Sequence, residues 1–135
     1  MSKPQDVPPD LSPHSQTILV VDDERMVREL VCKILRLRGY TVLEASHGVE
    51  ALRICLEHAG PIHLLLTDIF MPEMNGRTLA ERVTAQRPHI RVLYMSTDAT
   101  PITHLSLRTE TAFIQKPFTP DALARRVRKV LDATE

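Results

Sequence analysis

The sequence predicts a doubly wound α/β domain: one five-stranded parallel sheet with helices on both faces. Short apolar runs of strand length alternate with segments whose apolar residues recur at helical spacing. Such alternation implies parallel pairing through right-handed crossovers. Several of the runs are apolar throughout, as strands covered on both faces should be. The length of 135 residues suits a single domain with a real core.

Each element has its own justification. The opening "MSKPQDVPPDLSPHSQ" holds four prolines and almost no apolar residues, so residues 1–16 read as a flexible tail or linker and 17–135 as the domain. "TILVV" (17–21) is a β-branched first strand. From Glu24 to Arg38, Val27, Leu30, Val31, Ile34 and Leu35 form one helical stripe, and Gly39 is a natural stop. "YTVLEA" is the second strand, and Val49, Leu52 and Leu56 mark the second helix. "IHLLLT" is the third strand. Leu79, Ala80 and Val83 mark the third helix, closed by Pro88. "IRVLYM" and "AFIQ" are the fourth and fifth strands. Between them, 97–111 offers only spaced apolar residues and room for a short helix. Thr119 caps the last helix with Pro120 at its first position, and Leu123, Val127, Val130 and Leu131 form its inner face.

Composition narrows the function. Hydrophobic residues make up 43 % and charged residues 25 %, ordinary globular usage. Lys+Arg 17 balance Asp+Glu 17, so net charge gives no pull toward nucleic acid or an anionic membrane. No apolar run approaches the ~20 residues that span a bilayer, and the polar N-terminus does not read as a signal peptide. Cys32 and Cys55 sit in apolar helical patterns and read as reduced core thiols. A cytoplasmic protein is the expectation. The six histidines show no metal-ligand spacing. The basic run Arg125, Arg126, Arg128 and Lys129 reads as a solvated face supported by the helix dipole.

In such folds ligands bind beyond the C-terminal ends of the strands. After the first strand stand Asp22, Asp23 and Glu24; after the third, Asp68; after the fourth, Ser96; after the fifth, Lys116. An acid after a strand is by itself usually a turn former or a helix cap. One ligand accounts for all of these residues at once. Clustered carboxylates repel unless a cation neutralises them, and hard oxygen ligands favour Mg2+. A lysine beside the cation can hold a phosphoryl oxygen and a serine hydroxyl can donate to another. A carboxylate there can be a nucleophile toward phosphorus. In "HLLLTDIFMPEMNG" the strand carries Asp68 to the rim, and Pro72 and Gly76 shape the loop that leaves it open to a donor.

The set "VVDDE", "LLLTDIFMPEMNG", "YMS" and "FIQKPF" resembles the receiver domain of two-component response regulators, over about residues 16–133. That resemblance implies the flavodoxin-like strand order 2-1-3-4-5. It implies Asp68 as phosphoacceptor, with Mg2+ bound directly by Asp23 and Asp68, through water by Asp22, and by the backbone carbonyl of Phe70. It implies Ser96 as the switch hydroxyl, Lys116 as the phosphoryl contact with a cis bond to Pro117, and Phe113 at the place of the switch aromatic, where plain core packing is the other reading. The donor would be a sensor histidine kinase or a histidine phosphotransfer protein. The surface after the fourth and fifth strands would bind a protein partner or form a homodimer. The domain would be a phosphoacceptor, not a turnover enzyme. The text around the motifs is similar to receivers of hybrid sensor kinases. Thr97 departs from the small residue usual after the switch serine, and 97–115 looks short, which keeps a degenerate, phosphorylation-independent binding module as the alternative. Phe70 and Asp98 sit at positions that tune phosphoryl lifetime in the family. A phosphatase resembling the haloacid dehalogenase group would need a second acid where Phe70 stands. A nucleotide cradle would need glycines where the acids follow strand one.

Overall fold

The computed structural model describes residues 16–97 and 112–133. Five strands, β1 (Thr17–Val21), β2 (Thr41–Ala45), β3 (Leu64–Asp68), β4 (Arg91–Ser96) and β5 (Phe113–Gln115), alternate with α1 (Arg25–Leu37), α2 (Gly48–Glu57), α3 (Gly76–Gln86) and α4 (Pro120–Asp132). Residues 1–15 of the expected 1–16 tail and residues 98–111 of the 97–111 segment expected to hold a short helix, Asp98 among them, lie outside the described residues.

The sheet order is β2-β1-β3-β4-β5, with every neighbouring pair parallel. This is the order the resemblance implied. The strands alternate their side chains between two cores. Ile18, Val20, Leu64, Leu66, Leu93 and Met95 meet α1 and α4 on one face. Leu19, Val21, Leu65 and Tyr94 meet α2 and α3 on the other. Both faces are covered, so β1 and β3 are buried along their whole length.

The helix ends follow local chemistry. Thr119 accepts a hydrogen bond from the Ala122 N–H with Pro120 at the first helical position, as expected. Asn75 caps α3 through Thr78 N–H, and His47 caps α2 through its Nδ1. Gly39 ends α1 at φ 96°, where its N–H reaches the Arg36 carbonyl and the Tyr40 N–H reaches Leu35, a Schellman closure.

Two helices differ from the expected inner faces. In α1, Val31, Ile34 and Leu35 are buried, but Leu30 is 54 % exposed at the border of the stripe. In α2 the buried residues are Gly48, Ala51 and Cys55, while Val49 and Leu56 face outward. The buried stripe lies one position, about 100°, from the pattern of large apolar residues. Small side chains let α2 approach the sheet, and a pattern weighted by large residues marks the neighbouring stripe. Val130 and Leu131 are half-buried against the core, consistent with their expected face. Both cysteines are free and buried, and burial pushes the Cys32 thiol up to about 11. Among the described residues no helix is long and apolar enough to cross a membrane.

Candidate functional site

The strand register assembles the site. Val21 aligns with Thr67, Asp68 with Met95, and Ser96 with Gln115. The residue after β1, the last of β3, the last of β4 and the residue after β5 are therefore Asp22, Asp68, Ser96 and Lys116, side by side at one edge. An open cavity of about 250 Å³ sits there, lined by Asp23, Glu24, Asp68, Phe70, Ser96, Thr97 and Lys116.

Lys116 is the hub. Its ammonium is buried, donates to Asp22 Oδ2 at 2.9 Å, and lies 3.2 Å from Asp68 Oδ1 and 3.8 Å from Glu24 Oε1. Burial by itself would lower its pKa, but bonding and attraction to Asp22 and Asp68 outweigh that, and the net direction is upward. Lys116 is thus held as a cation. Its backbone N–H donates to the Ser96 carbonyl at 2.8 Å, tying the lysine to the end of β4, and its bond to Pro117 is cis.

The acids differ in exposure although they are neighbours. Asp22 is fully buried, and its Oδ1 also accepts the Glu24 N–H at 2.9 Å. Asp23 points to solvent at the cavity mouth. Asp68 is buried, and burial first of all, opposed by Lys116 and reinforced by Asp22 and Asp23, pushes its carboxyl up to about 6. Oxygens of Asp22, Asp23 and Asp68 all lie within 4.8 Å of one another. With one lysine against these three acids and Glu24, the pocket holds excess negative charge and only oxygen donors. That donor set fits a hexacoordinate Mg2+ that keeps several of its waters. Asp23, Asp68 and the Phe70 segment at the wall would hold it, with Asp22 next to them.

Gly76 explains how Asp68 is presented. A Cβ there would meet the Asp68 carbonyl oxygen at 2.2 Å and Ile69 Cα at 3.0 Å, so α3 starts against the backbone of Asp68 itself. Between them the loop closes through Met74 N–H to the Pro72 carbonyl at 2.7 Å, with Glu73 at φ 71°, a γ-turn with a non-glycine residue at its centre. Ser96 is buried at the cavity wall. Phe113 is half-buried against the α2–α3 core and aligned with Tyr94 on β4. Phe70 is 43 % exposed at the wall, so among the described residues no carboxylate stands two after Asp68 where a dehalogenase-like phosphatase would need one.

Sequence reasoning gathered the strand-end residues but missed Arg28 and Glu44. Arg28 Nη1 donates to the Asp22 carbonyl at 2.8 Å, and its Nε donates to Glu44 Oε2 at 3.1 Å. Nothing in the spacing joins a helix arginine to an acid on the edge strand; only the β1–β2 pairing brings them together.

A parallel α/β sheet of order 2-1-3-4-5 thus gathers acids that could hold a metal ion, a hydroxyl and a buried lysine at its carboxyl edge. A family model for the response regulator receiver domain matches residues 18–128, and the chain belongs to that family. The chain is 38 % identical over 120 residues to the sensor kinase CckA of Brucella abortus, which covers 87 % of this chain but 13 % of that kinase. It is also 38 % identical over 120 residues to a chemotaxis protein CheY homolog of Campylobacter jejuni, covering 84 % of this chain and 91 % of the relative. The crystal structure of the receiver domain from the hybrid histidine kinase CckA superposes with a TM-score of 0.72 at 38 % identity, covering 86 % of this chain and 99 % of that one.

Proposed function

We propose that this receiver domain takes a phosphoryl group onto Asp68 from a phosphohistidine of a cytoplasmic histidine kinase or phosphotransfer protein, with Mg2+ bound. The observation that carries this is Lys116, bridging Asp22 at 2.9 Å and Asp68 at 3.2 Å in an open pocket that Ser96 also lines. The sensor-kinase and hybrid-kinase names of the relatives support a histidine kinase as partner. In the reaction the N–P bond of the phosphohistidine breaks, an Asp68 Oδ–P bond forms, and the imidazole leaves with the electron pair and takes a proton from water. Bound Mg2+ would supply charge stabilisation for the phosphoryl oxygens.

The chain's own residues do the rest. Asp68, with its carboxyl near 6, is mostly ionised at neutral pH and can attack. Lys116, held charged, is released from Asp68 toward a phosphoryl oxygen as the carboxylate becomes an acyl phosphate. Ser96 donates to a second oxygen and draws the end of β4 inward, and Phe113 follows from its half-buried position. Phosphorylation adds charge and strong acceptors, and so shifts a population between two states rather than building a new fold. The surface around β4 and β5 then binds a protein partner or a second copy. The domain is a stoichiometric phosphoacceptor, not a turnover enzyme.

Intact mass after incubation with Mg2+ and a small-molecule phosphodonor tests this. Wild type gains one phosphoryl group, and Asp68→Asn gains none. If folded, Mg2+-binding wild type gains nothing, the phosphorylation-independent binding module replaces this reading, with Thr97 at the cavity mouth the first suspect.

A further inference from the structure

Asp22 ends where regular pairing ends. Val21 and Ala45 are the last partners of the β1–β2 ladder, and the Asp22 N–H makes only a long bond, 3.3 Å, to the Ala45 carbonyl. The Asp22 carbonyl lies beyond the ladder, and Arg28 supplies its donor. This carbonyl belongs to the peptide that joins Asp22 to Asp23. Because that unit is planar, fixing its oxygen fixes the departure of both acids. Arg28 is itself nearly buried, with a side chain 14 % exposed, and Glu44 on the edge strand holds it by a charged bond at 3.1 Å. Glu44 in turn stands 3.8 Å from Arg36, which braces its other oxygen.

We propose that Arg28, braced by Glu44, is the positioning residue for the Asp22–Asp23 pair, and that it sets the cation affinity of the acidic pocket from outside that pocket. The inference rests on reading the pocket as a Mg2+ site. Two effects of Arg28 have opposite signs. Its positive charge beside the acids repels a cation, so charge alone makes its removal strengthen Mg2+ binding. Its hold on the shared peptide pre-sets the ligand geometry, so loss of positioning weakens binding. Glu44 neutralises much of the charge at contact distance, which leaves positioning as the larger effect.

The test is calorimetric titration with Mg2+ of wild type, Arg28→Ala, Arg28→Lys and Asp23→Asn, with melting temperature recorded in EDTA and the Glu24 amide resonance followed by NMR. The expected result is one Mg2+ on wild type, none on Asp23→Asn, and about tenfold weaker binding by Arg28→Ala. Arg28→Lys recovers part of the loss, since an ammonium can reach one partner but not both. The Glu24 amide, bonded to Asp22 Oδ1, shifts in Arg28→Ala before any Mg2+ is added. Affinity equal to or tighter than wild type in a folded Arg28→Ala overturns the inference while leaving the metal site standing. No Mg2+ binding by wild type overturns the metal reading and this inference with it. If Arg28→Ala does not fold, wild-type affinity in Arg28→Lys overturns the inference.

Discussion

Asp68→Asn should make the metal-free domain more stable at neutral pH while abolishing phosphorylation. The Asp68 carboxyl rises from an ordinary 3.8 to about 6, chiefly because it is buried. At about 1.4 kcal/mol per pH unit, keeping it ionised in the fold costs at most about 3 kcal/mol. The open cavity admits water that screens part of this, so about 1–2 kcal/mol is the expected gain, or roughly 3–8 °C in Tm for a domain of this size. The amide keeps an oxygen to accept from Lys116, so little else changes. The sign with pH is definite. A carboxyl whose folded pKa is raised favours folding below its unfolded value near 3.8 and loses that contribution as pH rises through about 6. The advantage of Asp68→Asn is therefore full above pH 7 and shrinks toward zero as pH falls to about 4. Urea denaturation of both proteins in EDTA across that range measures the difference directly, and titrating groups that do not interact with Asp68 cancel in it. A mutant no more stable than wild type at pH 7.5, or a difference independent of pH, refutes the claim that burial of an ionised Asp68 strains this fold. Added Mg2+ should then stabilise wild type more than the mutant.

Two further perturbations separate the site from its scaffold. Gly76→Ala drives a Cβ into the Asp68 carbonyl at 2.2 Å, a backbone atom that cannot swing aside; it should cost about 2–3 kcal/mol in urea denaturation and slow phosphoryl uptake measured by intact mass. Arg87→Ala removes bonds to the Cys55, His58 and Gly60 carbonyls at the opposite end of the sheet; it should cost about 1–3 kcal/mol and leave the rate of phosphoryl uptake by the folded protein unchanged.

What the sequence determined by itself was local. Apolar runs, helical spacing and caps are written in adjacent residues, so the five strands appear within two residues of their expected bounds and Thr119 caps as expected. The acids, Ser96 and Lys116 were legible for the same reason: each closes a strand, and parallel strands bring their ends to one edge. The tertiary structure decided what depends on residues far apart in the chain. Periodicity does not contain the sheet order; pairing does. The outward turn of Val49 and Leu56 follows from how closely Gly48, Ala51 and Cys55 let α2 approach the sheet. Adjacent Asp22 and Asp23 read alike in sequence, yet one is buried on Lys116 and the other open to solvent, because successive residues leaving a strand face opposite ways. Arg28 meets Glu44 only because β1 and β2 pair in one register, which sets that edge-strand acid beside α1. Interactions whose partners are distant in the chain leave no spacing to read, so folding alone reveals them.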